Sequence, residues 1–255
     1  MARNFNGSTQ DMRNGSSKLS IANPSTTNFT VTIAGWFNFG GTTLGTCAAF
    51  GSGANTSASF NQLQLGTATG NVVRADYRTG AGDFFLDTAA TFTSNTWNHG
   101  AGVFVVSSAV LTNLATYLNG GNKVTSTPSG AMNTGAIAGF SIGALDLGGL
   151  FNQFGGSVAD VAYWNVQLTD LEISALGNGA RPYRIRPTAL QGWWPLDGDI
   201  SPEADMSLNN FNMTLTAAPP KSFGPPLMPF TPRWPQWTEM PPPLPMFILM
   251  PQIVT

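Results

Sequence analysis

Charge is what this chain has least of. Asp, Glu, Lys and Arg together make up 9% of its 255 residues, against about a quarter in an ordinary globular protein. The net charge is −2. No basic stripe is present to displace counterions along a phosphate backbone, so nucleic acid is excluded as a partner. Asn, Ser, Thr and Gly supply the polarity instead, giving a neutral, hydrogen-bonding surface suited to lasting contact with protein or sugar. Cysteine occurs once, at Cys47, which rules out an internal disulfide framework. In its Gly/Ala setting that thiol reads as a small core residue. Histidine also occurs once, at His99, which removes multi-histidine metal sites and predicts a satisfied structural histidine. Glutamate is confined to Glu172, Glu203 and Glu239. The phosphate-binding glycine loop and the dinucleotide fingerprint are both missing. The opening Ala2-Arg-Asn-Phe-Asn-Gly lacks the apolar core of a signal peptide. Leu244 to Met250 is too short and too interrupted by proline to span a bilayer. Synthesis in the cytoplasm, without a membrane partner, is therefore expected.

What is present is a succession of short β signals. Lys18–Ala22, Phe29–Phe39, Ala48–Phe50, Ser59–Leu65, Val72–Tyr77, Trp97–Val106, Leu114–Leu118, Ala136–Ile142 and Val158–Trp164 are bounded by Gly-, Asn- or Ser-rich turns. Asn119-Gly120-Gly121 is the strongest tight-turn signal. Many short strands at regular spacing predict an all-β antiparallel sandwich. The stretch 154–179 is the most informative. From Val158 to Trp164 it alternates with a period of two, placing Val158, Asp160, Ala162 and Trp164 on one face. A helix start follows: Thr169 is the N-cap, Glu172 closes a capping box, Leu168 and Ile173 form a hydrophobic staple, and Gly177 or Gly179 offers the stop.

Phe154, Gly156, Val158, Ala159, Asp160, Val161, Trp164, Asn165, Leu168, Thr169, Glu172 and Ile173 resemble the closing part of laminin-G-like, concanavalin A-like jelly-roll domains. Phe29–Phe37, Thr96–Val103 and Ala115–Gly120 agree in order and spacing, and the resemblance covers about residues 15–200. It implies a jelly-roll sandwich in which Trp36, Trp97 and Trp164 are core. In adjacent Trp193-Trp194, one ring faces the core and the other a different surface. Leu190–Gly198 is similar to a strand that returns to the sheet, expected beside the first strand. In Ser201–Leu215, Leu208, Phe211 and Met213 replace the usual glycines. Jelly-roll glucanases carry an alternating Glu-x-Asp-x-Glu run, which this chain lacks, so no enzyme is expected. Asp83 and Asp87 read as a polar-edged strand rather than an acid/base pair. Asp83 and Asp146 lie in loops of the type that hold Ca²⁺ in such domains, but no acidic cluster accompanies either, and no cofactor is expected.

The predicted organisation is an N-terminal arm over 1–15, the sandwich over 16–217 and an extended C-terminal arm over 218–255. Twelve of the 18 prolines fall in 219–255, which disfavours ordinary strands and favours extended chain. Phe223, Phe230, Trp234, Trp237, Met246 and Phe247 are the expected partner-binding residues, buried against the chain's own sandwich or a neighbouring subunit. Modules carrying such arms are similar to bacteriophage virion proteins. The resemblance therefore implies a non-enzymatic virion structural protein, a capsid decoration or cement protein. Its partners would be the major capsid protein and copies of itself, a trimer being one arrangement. The alternative is a lectin-like carbohydrate-binding module of a phage fibre or cell surface, with a host-surface glycan as ligand. Tyr77, Phe84 and Phe85 are the aromatic candidates for it outside core positions.

Overall fold

The computed structural model describes residues 1–14, 23–41, 44–51, 61–79, 82–146, 149–198 and 201–227. Its first strands are β1 (Ala2–Asn6), β2 (Asp11–Asn14), β3 (Phe29–Phe39), β4 (Gly45–Gly51), β5 (Asn61–Ala68) and β6 (Val72–Thr79). Next come β7 (Gly82–Asp87), β8 (Trp97–Ser107), β9 (Val110–Leu118), β10 (Gly121–Ser126), β11 (Ala138–Ile142) and β12 (Leu145–Asp146). The last are β13 (Leu150–Phe151), β14 (Gly155–Trp164), β15 (Leu190–Trp194), β16 (Thr214–Thr216) and β17 (Lys221–Ser222). The helix α1 (Asp170–Gly177) follows β14.

Two antiparallel sheets face each other. The first runs β10-β9-β8-β3-β14-β1-β17, with β15 also paired to β14; the second runs β16-β2-β11-β4-β5-β6-β7. The antiparallel jelly-roll sandwich is thus the observed fold. Alternation sets the faces. On β3, Val31, Ile33, Phe37 and Phe39 enter the inter-sheet core, where they meet Leu63, Leu65, Val73, Phe104, Val158 and Trp194. Small residues let the sheets close on each other: a Cβ on Gly100 or Gly102 would lie 3.2 Å from Val73 or Ala75. That contact seats β6 directly over β8.

The outer face of the first sheet is apolar and covered. Ala34, Ala101, Val103, Tyr117, Ala162 and Trp164 pack there against Leu168, Ile173 and Leu176 of the α1 region. The helix starts as predicted. Thr169 N donates to Glu172 Oε2 (2.7 Å) and Glu172 N to Thr169 Oγ1 (3.3 Å). At the other end, Asn178 is the C-cap and Gly179 adopts φ +91°.

Several expectations need correction. The described part of the expected N-terminal arm over 1–15, residues 1–14, carries two strands of the sheets. β1 lies between β14 and β17, and β2 between β16 and β11. What fixes β1 is distant in sequence: Arg3 is buried against Glu203 (2.9 Å) and donates to the carbonyls of Gly198 and Pro219. The sheets also extend past residue 217, to Ser222, so the start of the proposed C-terminal arm is sheet. β15 pairs with β14, where it and β1 lie end to end along one edge; the first strand expected beside it, Lys18–Ala22, is not among the described residues. Between β1 and β15 the alternation breaks at Asp160, which adopts φ +50°. Val158, Val161 and Tyr163 consequently face the core, while Ala159, Ala162 and Trp164 face out. Trp164 and Trp36 are buried, but on the outer face of the first sheet, and half-buried Trp97 packs beside Trp36. Trp193 and Trp194 do face opposite ways, Trp194 into the core and Trp193 outward. The turn at 205–212 survives loss of its glycines because Leu208 itself takes φ +72°. The expected strand at Lys18–Ala22 lies outside the described residues. No helix among the described residues is long and apolar enough to cross a membrane.

Candidate hydrogen-bonding face on the second sheet

The outer face of the second sheet is built differently. Register lines up one cross-strand row over all seven strands: Phe85, Asp76, Gln64, Ala49, Ser141, Arg13 and Thr214. Flanking rows add Asp83, Arg78 and Gln62 on one side, and Asp87, Arg74, Gly66 and Thr46 on the other. Leu145 of β12 sits on Ala49. Most of this face is therefore polar, yet its centre is buried: Gln62, Gln64, Thr46 and Asp76 are at most 5% exposed.

Four side-chain atoms on this face lack a hydrogen-bond partner: Thr46 Oγ1, Gln62 Oε1, Gln64 Nε2 and Asp76 Oδ1. Gln62 Nε2 donates to Gln64 Oε1 (3.2 Å), which leaves the other half of each amide open. An orphaned buried polar atom costs about 1–3 kcal/mol, so such atoms are met by water or by a ligand.

Toward the edge strand β7 the face opens. Phe85 is 52% exposed, and Arg78 and Asp83 are exposed beside it. Arg74 is fixed by a two-pronged ion pair, Nε to Asp87 Oδ1 (2.7 Å) and Nη2 to Asp87 Oδ2 (2.8 Å). Its guanidinium lies 3.9 Å from the centre of the Phe85 ring, which holds that ring in place. Asp76 and Asp83 share a hydrogen bond between their carboxyls. Burial pushes Asp76 up to about 8, the bond to Asp83 and its charge add to this, and Arg74 and Arg78 pull back. Burial therefore favours the neutral form of Asp76 at neutral pH. The hairpin face then balances two guanidinium groups, Arg74 and Arg78, against two carboxylates, Asp83 and Asp87.

The other expected site residues fall elsewhere. Tyr77 is buried, donating to Asn61 Oδ1 (3.2 Å), and Phe84 stacks on it within the core layer at 6.1 Å. Of the three aromatic candidates only Phe85 is exposed. His99 is buried and held neutral, its pKa pushed down to about 3 by burial. Its backbone N donates to Asn119 Oδ1 and its ring meets Trp36 edge-on, but Nδ1 has no partner, so it is not fully satisfied as expected. Cys47 is buried in the core, with its thiol pushed up to about 12. Glu172 caps α1 and receives Arg186, and Glu203 is tied to Arg3. The donor sets at Asp83 and Asp146 do not fit Ca²⁺. Asp146 receives Arg13 Nη1 (3.2 Å), Asp83 is engaged with Asp76, and no group of three metal-ligating residues gathers among the described residues. Phe223 is 95% exposed. Phe230, Trp234, Trp237, Met246 and Phe247 lie outside the described residues.

Asp76, Gln62, Gln64, Arg74 and Arg78 are the residues that sequence reasoning missed. A signal existed. Arg74, Asp76 and Arg78 alternate with Val73, Ala75 and Tyr77, as Asp83, Phe85 and Asp87 alternate with Phe84 and Leu86, but only the hairpin register joins the two polar rows.

Comparison with known proteins fits the architecture. In solved structures the chain is similar to a Bacteroides ovatus protein described as carbohydrate-binding, at 18% identity and TM-score 0.54, covering 84% of this chain and 57% of that one. It is also similar to the CBM40 of the Ruminococcus gnavus IT-sialidase bound to α2,3-sialyllactose, at 17% identity and TM-score 0.50, covering 60% and 84%. A heptameric pentraxin from Limulus polyphemus aligns at 15% identity and TM-score 0.49, covering 69% and 81%. At such identities the first two likenesses speak to fold alone. No curated protein matches the sequence. The model of one family, described as the concanavalin A-like lectin/glucanases superfamily, matches residues 13–174, well over half of the chain. The chain belongs to that superfamily.

Proposed function

We propose that this chain is a non-catalytic carbohydrate-binding module that takes a neutral saccharide on the outer face of the β6–β7 hairpin. The observation that carries this reading is an exposed aromatic ring, backed by a guanidinium, beside a bed of buried hydrogen-bonding atoms that lack partners. A pyranose needs both: an apolar platform for its C–H face and amide or carboxyl groups for its hydroxyls. Phe85 supplies the platform, held by Arg74. Asp83 and Arg78 stand at its sides, and the open atoms of Gln62, Gln64 and Asp76 lie behind them. The balanced charge of the hairpin favours an uncharged ligand over an acidic one. The fold supports the reading by analogy, since one similar solved structure is a CBM40 bound to α2,3-sialyllactose. The test is a panel of immobilised neutral and acidic glycans probed with the full chain and with Phe85→Ala. Binding to neutral glycans that falls at least tenfold in the variant supports the reading. Binding that the variant leaves unchanged, or no binding at all, contradicts it.

A second reading is favoured by one observation at the other end of the chain. Phe223, 95% exposed, follows edge strand β17, and Leu227 then packs beside Trp36 and Trp97. An exposed aromatic leading into a segment dense in proline and aromatics suits an assembly contact, with a neighbouring copy or a capsid protein as partner. A truncation after Leu227 keeps β17 and the contact between Arg3 and Pro219. Loss of self-association or capsid binding in that truncation supports the assembly role, and retention of both contradicts it.

A further inference from the structure

Asp76 is placed in an unusual way for a carboxyl group. It projects from the middle of β6 onto the outer face, 5% exposed, directly opposite Gln64 and Phe85 in the register and diagonal to Asp83. Its Oδ1 has no partner, and beside it Gln64 Nε2 and Gln62 Oε1 are buried and open as well. Among the described residues, the charged groups facing it are Arg74 and Arg78 on its own strand and Asp83 and Asp87 on β7. β5 offers only Gln62, Gln64 and Gly66, and β8 and β9 lie across the core from the opposite face of β6. Neither arginine is placed as a direct partner: Arg74 is committed to Asp87, and Arg78 stands opposite Asp83.

We propose that the Asp76–Asp83 pair is a proton-dependent latch on saccharide capture: with one proton between them the hairpin rim is competent to bind, and loss of that proton releases it. The inference rests on the carbohydrate reading above and adds its regulation. While Asp76 is protonated, it and Asp83 are joined by a hydrogen bond, and the hairpin face carries no net charge. When the proton leaves, two carboxylates stand side by side, the hydrogen bond is replaced by repulsion, and the face gains one negative charge. Asp83 then turns from Asp76 toward Arg78, across the strand pair, and the rim around Phe85 is rearranged. A buried carboxyl with an unpartnered oxygen is a group whose state can change at mildly alkaline pH.

The experiment follows the carboxyl carbons of Asp76 and Asp83 and the amide of Phe85 by NMR on the full chain from pH 5 to 10. The affinities for lactose and maltotriose are measured at pH 6.5 and 9. The expected result is an alkaline step near pH 8 felt by all three residues, absent in Asp76→Asn. Affinity for the sugar that binds should fall about tenfold between the two pH values, as the protonated fraction does. Absence of the alkaline step overturns the latch while leaving sugar binding at both pH values intact. A step without any change of affinity also overturns it, because the pair would then not govern capture. If neither sugar binds at pH 6.5, the carbohydrate reading falls and the switch on capture falls with it, leaving the shared proton as a feature of the fold.

Discussion

The two outer faces of the sandwich are made by the same alternation and end in opposite states. On the first sheet, Ala34, Ala101, Val103, Ala162 and Trp164 point outward, and α1 with its flanking residues closes over them. The indole donors found there are bound: Trp164 Nε1 donates to Ile185 O (2.8 Å), and Trp193 Nε1 donates to Asp160 Oδ1 (2.7 Å), which also accepts Arg181 Nη1; His99 Nδ1, beside Trp36, is the exception, buried without a partner. On the second sheet, Gln62, Gln64, Thr46 and Asp76 occupy equivalent outward positions with hydrogen-bonding capacity left open, next to an exposed aromatic ring. A face finished in this manner by apolar packing and satisfied donors serves stability. A face left polar and buried, with atoms lacking partners, costs stability.

Substitutions of like kind on the two faces should therefore separate. The largest effect is expected at Trp164→Ala, which empties a fully buried position beneath the helix and removes a bonded indole. It should lower stability by about 3–5 kcal/mol in a denaturant titration, with sugar binding by the remaining folded protein unchanged. The next is Asp76→Asn. Because the folded pKa of Asp76 is raised above its unfolded value of about 3.9, the unfolded chain ionises first as pH rises. Stability is accordingly lost between about pH 4 and pH 8 and stays level above that. The Asn variant should melt at the wild-type temperature near pH 4 and progressively above it toward pH 8. A constant difference across that range would show that Asp76 is not held neutral by the fold. The smallest stability effect is expected at Phe85→Ala, within about 0.5 kcal/mol of wild type, since the ring is half exposed at an edge strand. A destabilisation comparable to that of Trp164→Ala would mean that Phe85 is a packing residue, and would erase the contrast between the faces.

How much of this could be read from the sequence depended on the range of the interactions. The start of α1 was fully legible, because Thr169, Glu172, Leu168 and Ile173 act within a few residues of one another. The opposite facing of Trp193 and Trp194 followed from strand geometry alone. β1 was not legible: its polar Arg3 is made a strand residue by Glu203, Gly198 and Pro219, all far along the chain. The face reversal in β14 was hidden because an aspartate, rather than a glycine, takes the positive φ at position 160. For the candidate site, Phe85 was among three aromatics named, and burial removed Tyr77 and Phe84. Asp76 escaped notice because its neighbours Asp83 and Gln64 come from two other strands, and a carboxylate flanked by Arg74 and Arg78 reads as an ordinary solvated face.

Sugar binding at the polar face of the second sheet is read out residue by residue by amide chemical-shift mapping of the full chain during a titration with maltotriose or lactose. Saturable shifts concentrated at Gln62, Gln64, Arg74 to Arg78 and Asp83 to Asp87 are expected. Saturable shifts centred on α1 and the covered face of the first sheet, or none at all, would overturn the carbohydrate reading.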